Sequence, residues 1–198
     1  MLSEAQKFLS KDKYIAPLIR KWGTCTINPI SKKLYFEDLI DAITSQQLSG
    51  KAAKTIFNRF KEALDGRITP ERVLEKEDQV LRDCGLSWAK VKYVKDLALK
   101  VKEGDLELNK LDKLADEEVI SELVAVKGIG RWTAEMFLMF SLGRLDTFPV
   151  DDLGIKKGFE KVTGKKWDKI KASKFAEKNW APYRTVASWY LWRSLENR

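Results

Sequence analysis

The chain has 198 residues, 44% of them hydrophobic and 33% charged, which suits one globular unit with a sizeable core. No apolar run approaches the roughly 18 residues that a membrane span requires, and the start, MLSEAQKFLSKDKY, lacks the succession of a signal peptide, so the expected compartment is the cytosol. Lys and Arg exceed Asp and Glu by 37 to 29, a formal charge of +8 that suits a polyanion without naming one; the absence of histidine removes the commonest neutral-pH acid-base group, leaving carboxylate, lysine, hydroxyl or electrostatics.

Apolar spacing is helical nearly throughout. Phe36, Leu39, Ile40 and Ile43 fall on one face, and Ala53, Ile56, Phe57, Phe60 and Leu64 repeat the pattern on the next segment. Further helices are predicted around Val91, Val94, Leu97, Ala98 and Val101, around Val119, Ile120, Leu123 and Val124, and around Val186, Trp189, Tyr190 and Arg193. Thr69, Ser87 and Asp116 read as N-caps. Only TCTI (24–27) and DTFPV (146–150) read as extended, and both are too short for a sheet. The expected fold is all-α, with roughly ten short helices. Cys25 and Cys84 lie far apart and match neither a zinc pattern nor the four thiolates of an iron-sulfur cluster, so no such cofactor is expected.

Between the helices predicted at 116–127 and 131–142 lies KGIG, with glycines at 128 and 130. Read from its residues alone, it is either a helix-ending turn or a place where bare backbone amides at a helix start meet an anion such as phosphate. Asp151 and Asp152 open the segment LGIKKGFEKV. With the helix starting there, Asp151 is expected as N-cap and Asp152, at the first helical position, as the carboxylate left for chemistry. Late in the chain Trp180, Tyr183, Trp189, Tyr190 and Trp192 cluster in a stripe that at helical spacing is more often core than pocket.

The stretch LVAVKGIGRWTAEMF followed by LGRLDTFPVDDLGIKK resembles the helix-hairpin-helix (HhH-GPD) DNA glycosylases, most of all the 3-methyladenine DNA glycosylase II branch in a compact form without its N-terminal β-domain. AITSQQLSGKAAKTIFNRF (42–60) and LRDCGLSWAKVKYVKDLA (81–98) extend the likeness over most of the chain from about residue 36. The resemblance implies a two-lobed helical fold with a cleft between the lobes: lobe A formed by 1–35 and 136–198, lobe B by 36–135, and the hairpin at 116–142. It also implies a phosphate held at Gly128 and Gly130, with a Na+ or K+ ion on hairpin carbonyls near Val126 and Ile129 and no metal held by side chains. Lys127, Ser87, Lys90 and Lys157 are further candidates for phosphate contact, although a solvated basic face is an equal reading of these lysines.

By the same pattern Asp152, the second of the pair and three residues before Ile155, is the catalytic carboxylate. Trp132 stands where strand-cutting members carry a lysine nucleophile, so a monofunctional enzyme is expected. Trp132 is a candidate to stack on a cationic flipped base, or else a core tryptophan bracing the hairpin; Met136, Leu153, Trp180 and Tyr183 complete the candidate base pocket. Gln47 of the QQLS motif is the candidate wedge, continuing the face of Ile43, while Gln46 supports the loop. The expected partner is double-stranded DNA carrying alkylated bases, acted on by a monomer, in the nucleoid of a bacterium or archaeon or in a eukaryotic nucleus. A non-catalytic DNA-holding module and a bifunctional glycosylase-lyase are the alternatives.

Overall fold

The structure, a computed structural model, describes residues 2–196. Twelve α-helices and no strand occur among the described residues. The chain begins with α1 (Leu2–Leu9) and α2 (Ala16–Trp22). There follow α3 (Tyr35–Ser45), α4 (Gly50–Ala63), α5 (Pro70–Glu75), α6 (Asp78–Asp83), α7 (Trp88–Glu103), α8 (Asp116–Val124) and α9 (Arg131–Met136). After a π-helical turn over Phe137–Ser141 come α10 (Leu153–Thr163), α11 (Lys169–Trp180) and α12 (Arg184–Arg193). No helix among the described residues is long and apolar enough to cross a membrane.

The chain forms two compact units. One is discontinuous, Met1–Pro29 with Leu138–Arg198, and the other is the continuous stretch Ile30–Phe137. In the continuous unit α3 buries Leu39, Ile40 and Ile43 and packs on α4 and α7, whose Val91, Val94 and Leu97 form its buried face. Thr69 caps α5, its Oγ1 accepting from the Arg72 amide at 3.4 Å, and Ser87 caps α7, accepting from the Lys90 amide at 3.2 Å, as their positions ahead of helical periods predict. The start of α8 differs. Ala115 is the N-cap and Asp116 the first helical residue; Glu118 Oε2 accepts from the Ala115 amide at 2.7 Å, so a carboxylate from the third helical position does the capping.

The discontinuous unit packs α10 and α11 on α12 around an aromatic cluster. Trp180 lies at its centre with 0% exposure, its ring centroid 5.4 Å from Phe175, 6.0 Å from Phe148 and 6.1 Å from Phe159 in edge-to-face contacts. The expectation of Trp180 in a base pocket is therefore corrected: the indole is enclosed by its own core and has no face for a ligand. The two stretches expected to be extended have no strand pairing, and they place Cys25, Ile27 and Phe148 in this same core.

Candidate functional site

Asp152 sits at the start of α10 as its N-cap, with extended backbone (φ −76°, ψ 125°). Its Oδ1 accepts two hydrogen bonds, from the Ile155 amide at 2.7 Å and from the Trp192 indole Nε1–H at 2.8 Å. Capping therefore falls to Asp152 and not to Asp151, the reverse of the sequence expectation. The reason is a turn closed by the Asp152 amide on the Pro149 carbonyl at 3.1 Å, which carries the chain through 150 and 151 and delays the helix by one residue. Asp151 is instead ion-paired with Lys169, whose Nζ lies 2.6 and 2.8 Å from its carboxylate oxygens.

Gly154 explains why an indole can reach this carboxylate. A Cβ at 154 would lie 2.7 Å from Trp192 Cδ1, 2.9 Å from its Nε1 and 3.0 Å from Asp152 Oδ1, so a side chain there would drive the indole away. Gly158 likewise meets the Leu191 carbonyl, at 2.5 Å from a built Cβ. The close approach that these two glycines permit is that of α12. The loop leading to Asp152 is anchored as well: Arg184 donates to both oxygens of Asp146 (2.8 and 2.9 Å), and Thr185 Oγ1 donates to the Arg144 carbonyl (2.7 Å) and accepts from the Thr147 amide (2.9 Å). Leu153, 61% exposed, lies beside Asp152, and Lys157 is exposed on α10. Tyr183 is half-buried, edge-on to Phe8 at 5.4 Å.

In the continuous unit the hairpin runs from Ala125 to Gly130, between α8 and α9. Gly128 has φ +84° and lies so tightly on Tyr93 that a Cβ would come within 2.2 Å of its ring, so both conformation and packing require glycine. Gly130 differs: φ is −97°, and nothing in this chain lies within 4 Å of the missing Cβ. Neither backbone strain nor internal packing asks for glycine there, and the backbone at the start of α9 is left open. Arg131 clamps the hairpin, donating to both Glu117 oxygens (3.0 and 2.6 Å) and to Glu135 Oε1 (3.1 Å). Those hydrogen bonds hold the Glu117 carboxyl below, and the Arg131 guanidinium above, their ordinary ranges.

Trp132, on the first turn of α9, is 45% exposed, which sets aside a tryptophan enclosed in the core; Met136, one turn on, is half-buried. Two lysines expected at phosphates are engaged elsewhere. Lys127 gives its amide to Asp96 Oδ2 (2.9 Å) and its ammonium to Oδ1 of the same carboxylate (3.2 Å). The Lys90 ammonium donates to the carbonyls of Thr44 (2.8 Å) and Gln46 (2.7 Å), and burial pushes it below the ordinary lysine range. Both expectations overlooked carbonyl or carboxylate partners distant in sequence. Ser87 is exposed, but its hydroxyl caps α7.

Gln47 does not continue α3, which ends at Ser45. It stands exposed in the turn that follows, in the left-handed region at φ 58°, a conformation uncommon for glutamine, and Leu48 beside it is 38% exposed. Gln46 Nε2 donates to the Gly128 carbonyl at 2.8 Å, the supporting role its position suggested. Sequence reasoning did not single out Asp96 as the partner of Lys127 or Trp192 as a donor to Asp152. The glycine two residues after Asp152 was the one local sign of a side chain crowding that carboxylate.

The chain belongs to the HhH-GPD superfamily of base excision DNA repair proteins, whose family model matches residues 40–182. DNA-3-methyladenine glycosylase 1 of Schizosaccharomyces pombe is 40% identical over 171 residues, 83% of this chain and 74% of that protein. An alkylbase DNA glycosidase-like protein of the same organism is 35% identical over 196 residues, 96% of this chain and 92% of the relative. Among solved structures, an S. pombe 3-methyladenine DNA glycosylase in complex with abasic DNA superposes with a TM-score of 0.85 at 38% identity, covering 96% of each chain.

Proposed function

We propose that this protein is a monofunctional DNA glycosylase that binds duplex DNA, extrudes an alkylated purine and hydrolyses its N-glycosidic bond. The observation that carries the reading is Asp152: a carboxylate at a helix start, oriented by an amide and an indole that converge on one oxygen. The relatives named for 3-methyladenine supply the substrate class.

In the reaction the bond from sugar C1′ to the purine nitrogen breaks and its electron pair goes to the base; water adds at C1′, and its proton passes to Asp152 or solvent. A carboxylate about 4 Å from the oxocarbenium-like sugar stabilises it by roughly 4 kcal/mol at an effective dielectric of about 20. That is about a thousandfold in rate, too little to expel an undamaged purine. The leaving group must already be activated. A purine alkylated at N3 or N7 is cationic, and the bond's electron pair neutralises it as it departs. Trp132, exposed on the first turn of α9, presents a π-face of the kind that attracts a cationic base. Trp132 also occupies the lysine position of strand-cutting enzymes, so no Schiff base forms there.

A base must leave the stack before it is cleaved, and the exposed Gln47 and Leu48 suit the vacated space, one able to hydrogen-bond the orphaned partner and the other able to wedge between bases. Open backbone at Gly130 suits a phosphate at the start of α9. A Na+ or K+ at the hairpin would rest on backbone carbonyls. Val126 fits that role with the lone pair left beside the one accepting the Ile129 amide at 3.1 Å. Such an ion would supply positive charge toward a phosphate.

Incubation with methylated duplex DNA should release free 3-methyladenine and 7-methylguanine, resolved by chromatography, and leave strands intact until alkali is added. Strand scission without alkali, or a borohydride-trapped covalent adduct, would contradict the monofunctional reading.

A further inference from the structure

Three segments of the continuous unit converge on Gln46. Its carbonyl and that of Thr44 accept from the Lys90 ammonium at 2.7 and 2.8 Å, and its side-chain amide donates to the Gly128 carbonyl of the hairpin at 2.8 Å. Lys90 is itself fixed, its amide held by Ser87 Oγ at 3.2 Å in the capped first turn of α7. Gly128 is fixed by its contact with Tyr93. The next two residues are Gln47, in the left-handed region, and Leu48, whose amide donates to the Ser45 carbonyl at 3.3 Å.

A glutamine keeps that conformation only where its surroundings over-determine it, and here the restraints are the ammonium on one side and the hairpin carbonyl on the other. α3 ends without a side-chain or glycine cap, so the lysine does the work of one from another helix.

We propose that Lys90 and Gln46 are positioning residues for base extrusion. They hold the turn bearing Gln47 and Leu48 in fixed register with the hairpin, so that the phosphate grip and the filling of the gap act as one preformed body. The proposal rests on the glycosylase reading above. Without these restraints the turn must be ordered during extrusion, and the extruded state becomes less populated.

The test compares wild type, Lys90→Met and Lys90→Arg on a duplex carrying 2-aminopurine beside an abasic analogue, and on alkylated DNA in duplex and single-stranded form. Wild type is expected to raise 2-aminopurine fluorescence by unstacking it. Lys90→Met should lower the extruded population and duplex base release about tenfold, on the scale of a lost charge-assisted hydrogen bond. Its release from single strands, where no stack must open, should stay within about twofold of wild type. Lys90→Arg, whose fork can reach both carbonyls, should restore most of the signal.

The salt dependence of duplex binding should be the same for Lys90→Met as for wild type. A slope smaller by about one would make Lys90 a phosphate contact and overturn the proposal. Equal loss of release on duplex and single strand, or fluorescence unchanged from wild type, would also overturn it. If wild type frees no base from either substrate, the glycosylase reading fails while the fluorescence comparison still decides the role in extrusion. Should Lys90→Met not fold by circular dichroism, Gln46→Leu, which removes the hairpin tie and keeps the ammonium on both backbone carbonyls, carries the same comparison.

Discussion

At the scale of single residues, the donors on Asp152 set what its carboxylate can do. The Ile155 amide and the Trp192 indole meet on Oδ1 and fix the plane of the group. Trp192→Phe keeps the packing and removes one of them. A hydrogen bond to a charged group contributes about 1.5–3 kcal/mol, so kcat for base release should fall between about tenfold and a hundredfold with KM little changed. An unaltered kcat would show that the indole has no part in orienting Asp152. The order of the motif selects Asp152 over Asp151 as the candidate carboxylate, whereas the expected capping by Asp151 is reversed in the structure. Which residue caps depends on where the Pro149 turn closes, a matter of one backbone amide that residue types do not reveal. The Lys90 partners were hidden for a related reason, since its carbonyls lie 46 and 44 residues away.

At the scale of elements, periodicity located most helices, and side-chain caps at Thr69 and Ser87 located their starts. It did not locate the end of α3, which stops where its carbonyls turn to Lys90, nor the start of α8, where Glu118 reaches back to the Ala115 amide. The hairpin's clamp has a pH signature. Arg131 holds Glu117 below its ordinary value, so this pair adds stability that is present above the unfolded glutamate pKa, about 4.3, and is lost as pH falls through the lower folded value. Both side chains are largely exposed, and screening keeps the contribution under about 1 kcal/mol. Thermal melts should therefore show wild type losing a small margin over Glu117→Gln between about pH 5 and pH 3. Parallel acid limbs would mean that the pair does not stabilise the hairpin.

At the scale of the whole molecule, the helical class follows from apolar spacing, whereas the assignment of aromatics to core or site does not, because a stripe of tryptophans at helical period looks the same in either. Trp180 is core and Trp132 largely exposed, although the sequence ranked both as pocket candidates. Trp180→Ala should lower unfolding free energy by about 3–5 kcal/mol, measured by urea denaturation, because it opens a cavity ringed by three phenylalanines. A loss below about 1 kcal/mol would mean that the cluster repacks.

The measurement that bears most directly on the whole is single-turnover release of 3-methyladenine from alkylated duplex DNA by wild type, Asp152→Asn and Asp151→Asn. Asp152→Asn is expected to lose about a thousandfold in rate while still binding the duplex, and Asp151→Asn, which breaks only an exposed ion pair with Lys169, should stay close to wild type. Release by Asp152→Asn at the wild-type rate, or a comparable loss in Asp151→Asn, would contradict the assignment of the chemistry to the carboxylate of Asp152.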